Sequence, residues 1–153
     1  MPADGDRQVE AGIRLRSLCE KIVSENRRGD VSFLSELREY TGINEVRSGA
    51  KKILLMGPEK VIVKLGGKGA ICIDQDQEVK TGIYPVHKVL DPTGAGDVFG
   101  GGFISGLSEG LPIINAMRRG TALASFCIED FGVSMLDNIT KDDIDHRIFE
   151  LEN

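Results

Sequence analysis

At 153 residues the chain is long enough to bury a core and reads as one domain; its 41% hydrophobic and 28% charged residues are ordinary for a soluble globular protein. A formal net charge of −5 gives no electrostatic reason to expect nucleic-acid binding. No apolar run has spanning length and no basic-then-apolar leader is read, so no membrane association and a cytoplasmic location are the expectations.

From about Gln8 to Asn26, apolar residues at Val9, Ile13, Leu15, Leu18, Ile22 and Val23 keep a helical period. The basic residues Arg14, Arg16, Arg27 and Arg28 are interleaved with acids and read as a solvated face. Val31 to Leu34 reads as a short strand, followed by a helix from Ser35, a capping residue, to Gly42. Asn44 is placed to cap a further helix running to about Met56. After the Gly57-Pro58 break, Lys60 to Leu65 is a β-branched strand of the buried kind. The turn Gly66-Gly67-Lys68-Gly69 joins it to a partner strand, Ala70 to Asp74, and Gln75-Asp76-Gln77 is a polar turn. Glu78 to Ile83 and Val86 to Leu90 are further strand candidates. A helix follows the glycines near position 95. Gly110-Leu111-Pro112 then marks a stop and a start, with Pro112 suited to a first helical position. The helix from Ile113 to about Asp130 carries Ala116, Gly120, Ala122, Leu123 and Ala124, a set that allows close approach by a neighbour. Lys141 to Leu151 is a final amphipathic helix. Helices alternating with strands argue for an α/β layered domain. Cys19, Cys72 and Cys127 lack Cys-x-x-Cys spacing and histidine neighbours, which argues for reduced thiols and against structural zinc. Cys72 and Cys127 sit in apolar contexts and are expected in the core.

The stretch from Asp91 to Gly102 (D-P-T-G-A-G-D-V-F-G-G-G) carries the chemistry. Gly94, Ala95 and Gly96 precede an acid and an apolar run of helical character. This order puts free backbone N–H groups at a helix start, where the dipole favours an anion. Asp97 is planted in the same place. An acid there opposes anion binding unless it handles a proton, which points to phosphoryl transfer to a hydroxyl. No Gly-Lys-Ser/Thr follows, so the motif is not a P-loop, and it is not the dinucleotide fingerprint. Phe99 and Phe103, four apart, are core anchors. Taken alone, Asp97 also fits a helix N-terminal acid stabilised by the dipole.

The stretch resembles the C-terminal signature of the PfkB/ribokinase family of carbohydrate and nucleoside kinases, D-T-x-G-A-G-D-x-F. Val61 to Ala70 (V-I-V-K-L-G-G-K-G-A) resembles the family's strand–turn segment beside the nucleotide. Phe33 to Gly42 looks like its N-x-x-E region, with Glu36 on the glutamate position and Phe33 where asparagine is expected. Thr121 to Gly132 is similar to the small-residue helix that closes the adenine pocket. The resemblance runs from about Ala11 to Leu136 and matches only the C-terminal half of family members. It implies an α/β, ribokinase-like layered sheet with flanking helices, truncated to the nucleotide-binding half. Residues 1–153 would then be a single domain without the lid, the N-terminal substrate-binding half and its Gly-Gly motif.

By the same resemblance Asp97 is the base that takes the acceptor hydroxyl's proton, and Gly94, Ala95 and Gly96 form the anion hole. Lys64, Gly66, Gly67 and Gly69 would contact the nucleotide; a solubilising edge lysine and a plain hairpin turn are the alternatives. Ala122 and Ser125 would line the adenine pocket or serve close helix packing. Glu36 would act through water on Mg²⁺, or stand as an exposed helix acid. Asp91 and Thr93 either contribute to a monovalent-cation site, for example K⁺, or form an Asx turn with Pro92. The implied activity is ATP-dependent phosphorylation of a sugar or nucleoside hydroxyl. A non-catalytic remnant, or a nucleotide-binding subunit completed by a separate N-terminal half, is the alternative. Homo-oligomerisation is expected through the surface left by the missing half.

Overall fold

The computed structural model describes residues 33–152. The helix expected over 8–26, with Arg14, Arg16 and Cys19, lies outside them, as do Arg27 and Arg28. The backbone divides into two compact units. One runs through Leu65 and includes Cys72–Glu78; the other comprises Gly66–Ile71 and Val79 onward. Strands β1 (Val61–Lys64), β2 (Ala70–Ile73) and β3 (Glu78–Thr81) form a sheet in the order β1-β2-β3, and the division passes through β2 and after the first residue of β3.

The first unit opens with α1 (Phe33–Thr41) and α2 (Val46–Leu54). Phe33 and Leu34 start α1 and form no strand. Leu34, Leu37 and Thr41 repeat with helical spacing, and Leu37 and Thr41 are buried. Ser35 therefore lies inside the first turn and is not its cap. Gly42 closes α1 as expected, at φ +70°, with its N–H donating to the Arg38 carbonyl at 2.8 Å. The cap of α2 is Glu45, one residue beyond the expected Asn44. Its carboxylate accepts the Arg47 and Ser48 N–H groups at 2.9 and 2.7 Å, and a charged acceptor suits the positive helix end. A Cβ on Gly49 would stand 3.1 Å from the Leu37 side chain, so the two helices meet closely. Val61 and Val63 point inward from β1, and Ala50, Ile53, Cys72 and Ile73 are buried with them in this unit's core. The polar turn after β2 is an Asx turn: Asp74 accepts from the Asp76 and Gln77 N–H groups and lies 3.6 Å from Lys60.

The second unit is built on α3 (Ala95–Ser108), α4 (Ile113–Cys127) and α5 (Lys141–Glu152). Glycine allows α3 and α4 to touch backbone to backbone. A Cβ on Gly102 would lie 2.9 Å from Gly120 Cα, one on Gly106 2.9 Å from Ala116 Cα, and one on Gly120 2.6 Å from the Phe99 carbonyl oxygen. The small residues of α4 thus receive the signature helix itself. Phe99 and Phe103 are buried as expected, their rings parallel with centroids 6.5 Å apart.

The second unit also departs from expectation. Pro112 sits at the cap of α4 and not inside it, its carbonyl accepting from Asn115 and Ala116 at 3.0 Å. α4 ends at Cys127, three residues before Asp130, because the chain turns there to present the Ile128 carbonyl elsewhere. Val86–Leu90 forms no strand. Among the described residues no strand pairs with it, and the Leu90 N–H goes to Ile128. α5 opens on a reciprocal pair: Asp143 accepts from the Thr140 N–H and hydroxyl, and the Asp143 N–H returns to Thr140 Oγ1. Among the described residues no helix is long and apolar enough to cross a membrane.

Candidate phosphate-binding loop and its surroundings

The loop from Asp91 to Asp97 is held at both ends. The N–H groups of Leu90 and Asp91 donate to the Ile128 carbonyl at 2.8 and 3.4 Å. Asp91 then accepts the Thr93 N–H at 2.9 Å, an Asx turn with Pro92 at its centre. The Thr93 hydroxyl, then the Thr93 N–H, and further the Gly132 N–H hold the Asp91 carboxyl below the usual carboxylate range. Of the two readings of Asp91 and Thr93, the Asx turn is the one these hydrogen bonds display.

Gly94 has φ +83°, a left-handed conformation that favours glycine, and it caps α3 without a side chain. Its carbonyl accepts from Asp97 and Val98, both at 3.0 Å. The Ala95 N–H makes a 3.3 Å bond to the Pro92 carbonyl. Among the described residues the Gly94 and Gly96 N–H groups meet no protein acceptor. Asp97 lies in the first turn of α3, exposed, and its carboxylate takes no hydrogen bond or ion pair among the described residues. The helix start therefore presents two uncommitted donors, the positive end of a dipole and an uncommitted carboxylate. Donors of that kind stabilise an anion, and a free carboxylate accepts a proton.

Beneath the loop lies Cys127, fully buried, its thiol 3.7 Å from the Thr93 carbonyl and 3.4 Å from that of Gly132. Burial first, and then the charge of Asp91, push this thiol's pKa up. Cys127, Ile128 and Gly132 support the site without any local sequence signal of that role. The apolar setting of Cys127 announced only its burial.

Gly66–Lys68 form one turn of 3₁₀ helix, closed by the Gly69 N–H on the Gly66 carbonyl at 3.0 Å. A Cβ on Gly69 would stand 2.0 Å from the Thr81 carbonyl oxygen, at φ +86°; one on Gly67 would meet nothing within 4 Å. Gly69 is thus fixed by its neighbour strand, whereas Gly67 is exposed and open. Ala122 and Ser125 are buried on α4. The Ser125 hydroxyl donates to the Ala122 carbonyl at 2.6 Å and accepts from Arg147 at 2.6 Å. Asp91, Thr93, Gly94, Ala95, Gly96 and Asp97 come together in one loop; Glu36 on α1 and Lys64 at the end of β1 belong to the first unit. Among the described residues no three His, Cys, Asp or Glu side chains cluster as a metal cage.

Residues 32–140 match the family described as pfkB family carbohydrate kinase. The chain is 44% identical over 135 residues to a 5-dehydro-2-deoxygluconokinase of Bacillus anthracis, covering 87% of this chain and 40% of that protein. It is 31% identical over 126 residues to a cytidine kinase of Thermococcus kodakarensis, covering 80% and 44% respectively. Arabidopsis thaliana ribokinase, solved in complex with ribose and ATP, superposes with a TM-score of 0.68 at 27% identity, covering 75% of this chain and 38% of that one. The chain therefore spans less than half the length of these relatives.

Proposed function

The chain belongs to the pfkB family of carbohydrate kinases, and on that footing we propose that it carries the nucleotide and phosphoryl-transfer half of an ATP-dependent kinase acting on an alcohol group of a sugar or nucleoside. The observation that carries this reading is the start of α3, where two free N–H groups and the uncommitted Asp97 share one turn. Asp97 takes the proton of the acceptor hydroxyl. The hydroxyl oxygen bonds to the γ-phosphorus as the bond from that phosphorus to the β–γ bridging oxygen breaks, and ADP leaves with the electron pair. The Gly94 and Gly96 N–H groups, with the helix dipole, stabilise charge on the phosphoryl oxygens. Gly66 and Gly67 let the backbone approach the nucleotide, with Lys64 nearby in sequence. Mg²⁺, when bound, would neutralise phosphate charge.

Replacing Asp97 with Asn removes the base and keeps the shape. Transfer should fall by about 10²–10⁴-fold while MgATP affinity, read by calorimetry, is retained. Undiminished turnover in that variant would exclude Asp97 as the base. A second reading, nucleotide binding without turnover by this chain alone, is favoured by its spanning less than half of its relatives. It predicts MgATP binding with no phosphorylation across a panel of sugars and nucleosides; steady product from any panel member removes it.

A further inference from the structure

Arg147, on α5, is absent from every motif in the sequence, yet its guanidinium meets the side chains of Tyr84, Ser125, Phe126 and Glu129. Its guanidinium carbon lies over the Phe126 ring, 3.5 Å from the centroid, and over the Tyr84 ring, 4.6 Å from the centroid, so the cation meets two aromatic rings. One nitrogen donates to Ser125 Oγ at 2.6 Å and another to the Glu129 carboxylate. The side chain is only 14% exposed. Tyr84 is held in addition by its hydroxyl on Glu150, one turn further along α5.

These partners are not scattered. Ser125 and Glu129 bracket the end of α4, and between them stand Cys127, whose thiol faces the Thr93 carbonyl, and Ile128, whose carbonyl takes the Leu90 and Asp91 N–H groups. Tyr84 lies on the incoming segment that leads to Leu90. One planar cation therefore grips both the segment entering the loop and the helix end on which the loop rests. A lysine cannot reproduce this, because it lacks the flat face and the fork of donors. We propose that Arg147 is a positioning residue for the 91–97 loop, acting through the 125–129 segment to fix where the Gly94 and Gly96 N–H groups point. The proposal rests on the reading of that loop as the phosphate site.

The test compares Arg147→Met, which keeps the stacked volume without the donors, with Ile148→Ala, a half-buried neighbour on the same helix that removes packing alone. Arg147→Lys serves should the Met variant fail to fold. In the full chain, amide hydrogen exchange at Leu90 and Asp91 should quicken about tenfold in the Arg147 variant and not in Ile148→Ala at equal loss of melting temperature. MgATP affinity should weaken about tenfold in the same variant only. Equal quickening in both variants, or none in the Arg147 variant, overturns the proposal. If the unmodified chain binds no MgATP while the exchange contrast holds, the phosphate-site reading fails and the positioning role of Arg147 stands.

Discussion

Single residues in this chain are constrained to very different degrees, and the glycines of one turn display it. Gly69 cannot gain a methyl group without driving it into the Thr81 carbonyl, at a φ that side chains rarely adopt. Gly67, two positions earlier, has open space around it. Gly69→Ala should therefore lower the melting temperature sharply, whereas Gly67→Ala should melt like the parent and weaken MgATP binding. Unchanged MgATP affinity in Gly67→Ala would place the nucleotide elsewhere. Asp91 offers a second residue-scale prediction. Its folded-state pKa is depressed, chiefly by the Thr93 hydroxyl, so the tie it makes is complete above the ordinary carboxylate value of about 3.9 and is lost as pH falls through the lower folded value. The Thr93 amide resonance should titrate with a midpoint below about 3.9, and a midpoint at or above that value would refute the tie.

Among the elements, α3 and α4 matter most because the loop runs into the first turn of α3. Their contact centres on Gly102, Gly106, Ala116 and Gly120, where the backbones approach closely with Leu123 and Phe99 packed alongside. Gly120→Ala should force the helices apart and cost about 1–3 kcal/mol in chemical denaturation. Gly101→Ala, on the exposed face of α3, should instead stabilise by about 0.5–1 kcal/mol, since nothing lies within 4 Å of the added methyl. Opposite signs at residues on facing helices separate packing from propensity; equal signs would contradict the arrangement. The two helices, and the capacity of α4 for a close neighbour, were legible in the small residues and in Phe99–Phe103 at helical spacing; that α3 is this neighbour was not. Nor was the end of α4. The bonds from Leu90 and Asp91 to Ile128 join residues far apart in the chain, and no local pattern encodes them. Val86–Leu90 looked like a strand for a related reason: a strand needs a partner, and composition does not reveal whether one is there. Glu45 displaced Asn44 as a cap through a one-residue difference in where the helix begins, which propensity resolves poorly.

At the scale of the whole molecule, each unit leaves large apolar side chains in water. In the first, Leu55 is 89% exposed; in the second, Phe131 and Val133 are 67% and 56% exposed. We propose that such surface drives self-association when the chain is alone, consistent with its spanning less than half of its relatives. Light scattering should give a mass that rises with concentration, and a constant monomer mass would refute it. The family and the α/β architecture were readable from the signature, since its residues are contiguous. Which residues of α5 hold α4 was not, because Arg147 acts only once the chain has folded.

The thiol under the loop has a use as a clock. Cys127 is fully buried, with its thiol against the carbonyls of Thr93 and Gly132, and should react with an alkylating reagent only when that covering lifts. Its modification rate, read peptide by peptide in a mass spectrometer, counts how often the loop opens. Cys72, buried and with a thiol pKa of about 11, supplies a reference clock in the other unit. Nucleotide on the loop should slow the first clock and leave the second running at its own pace.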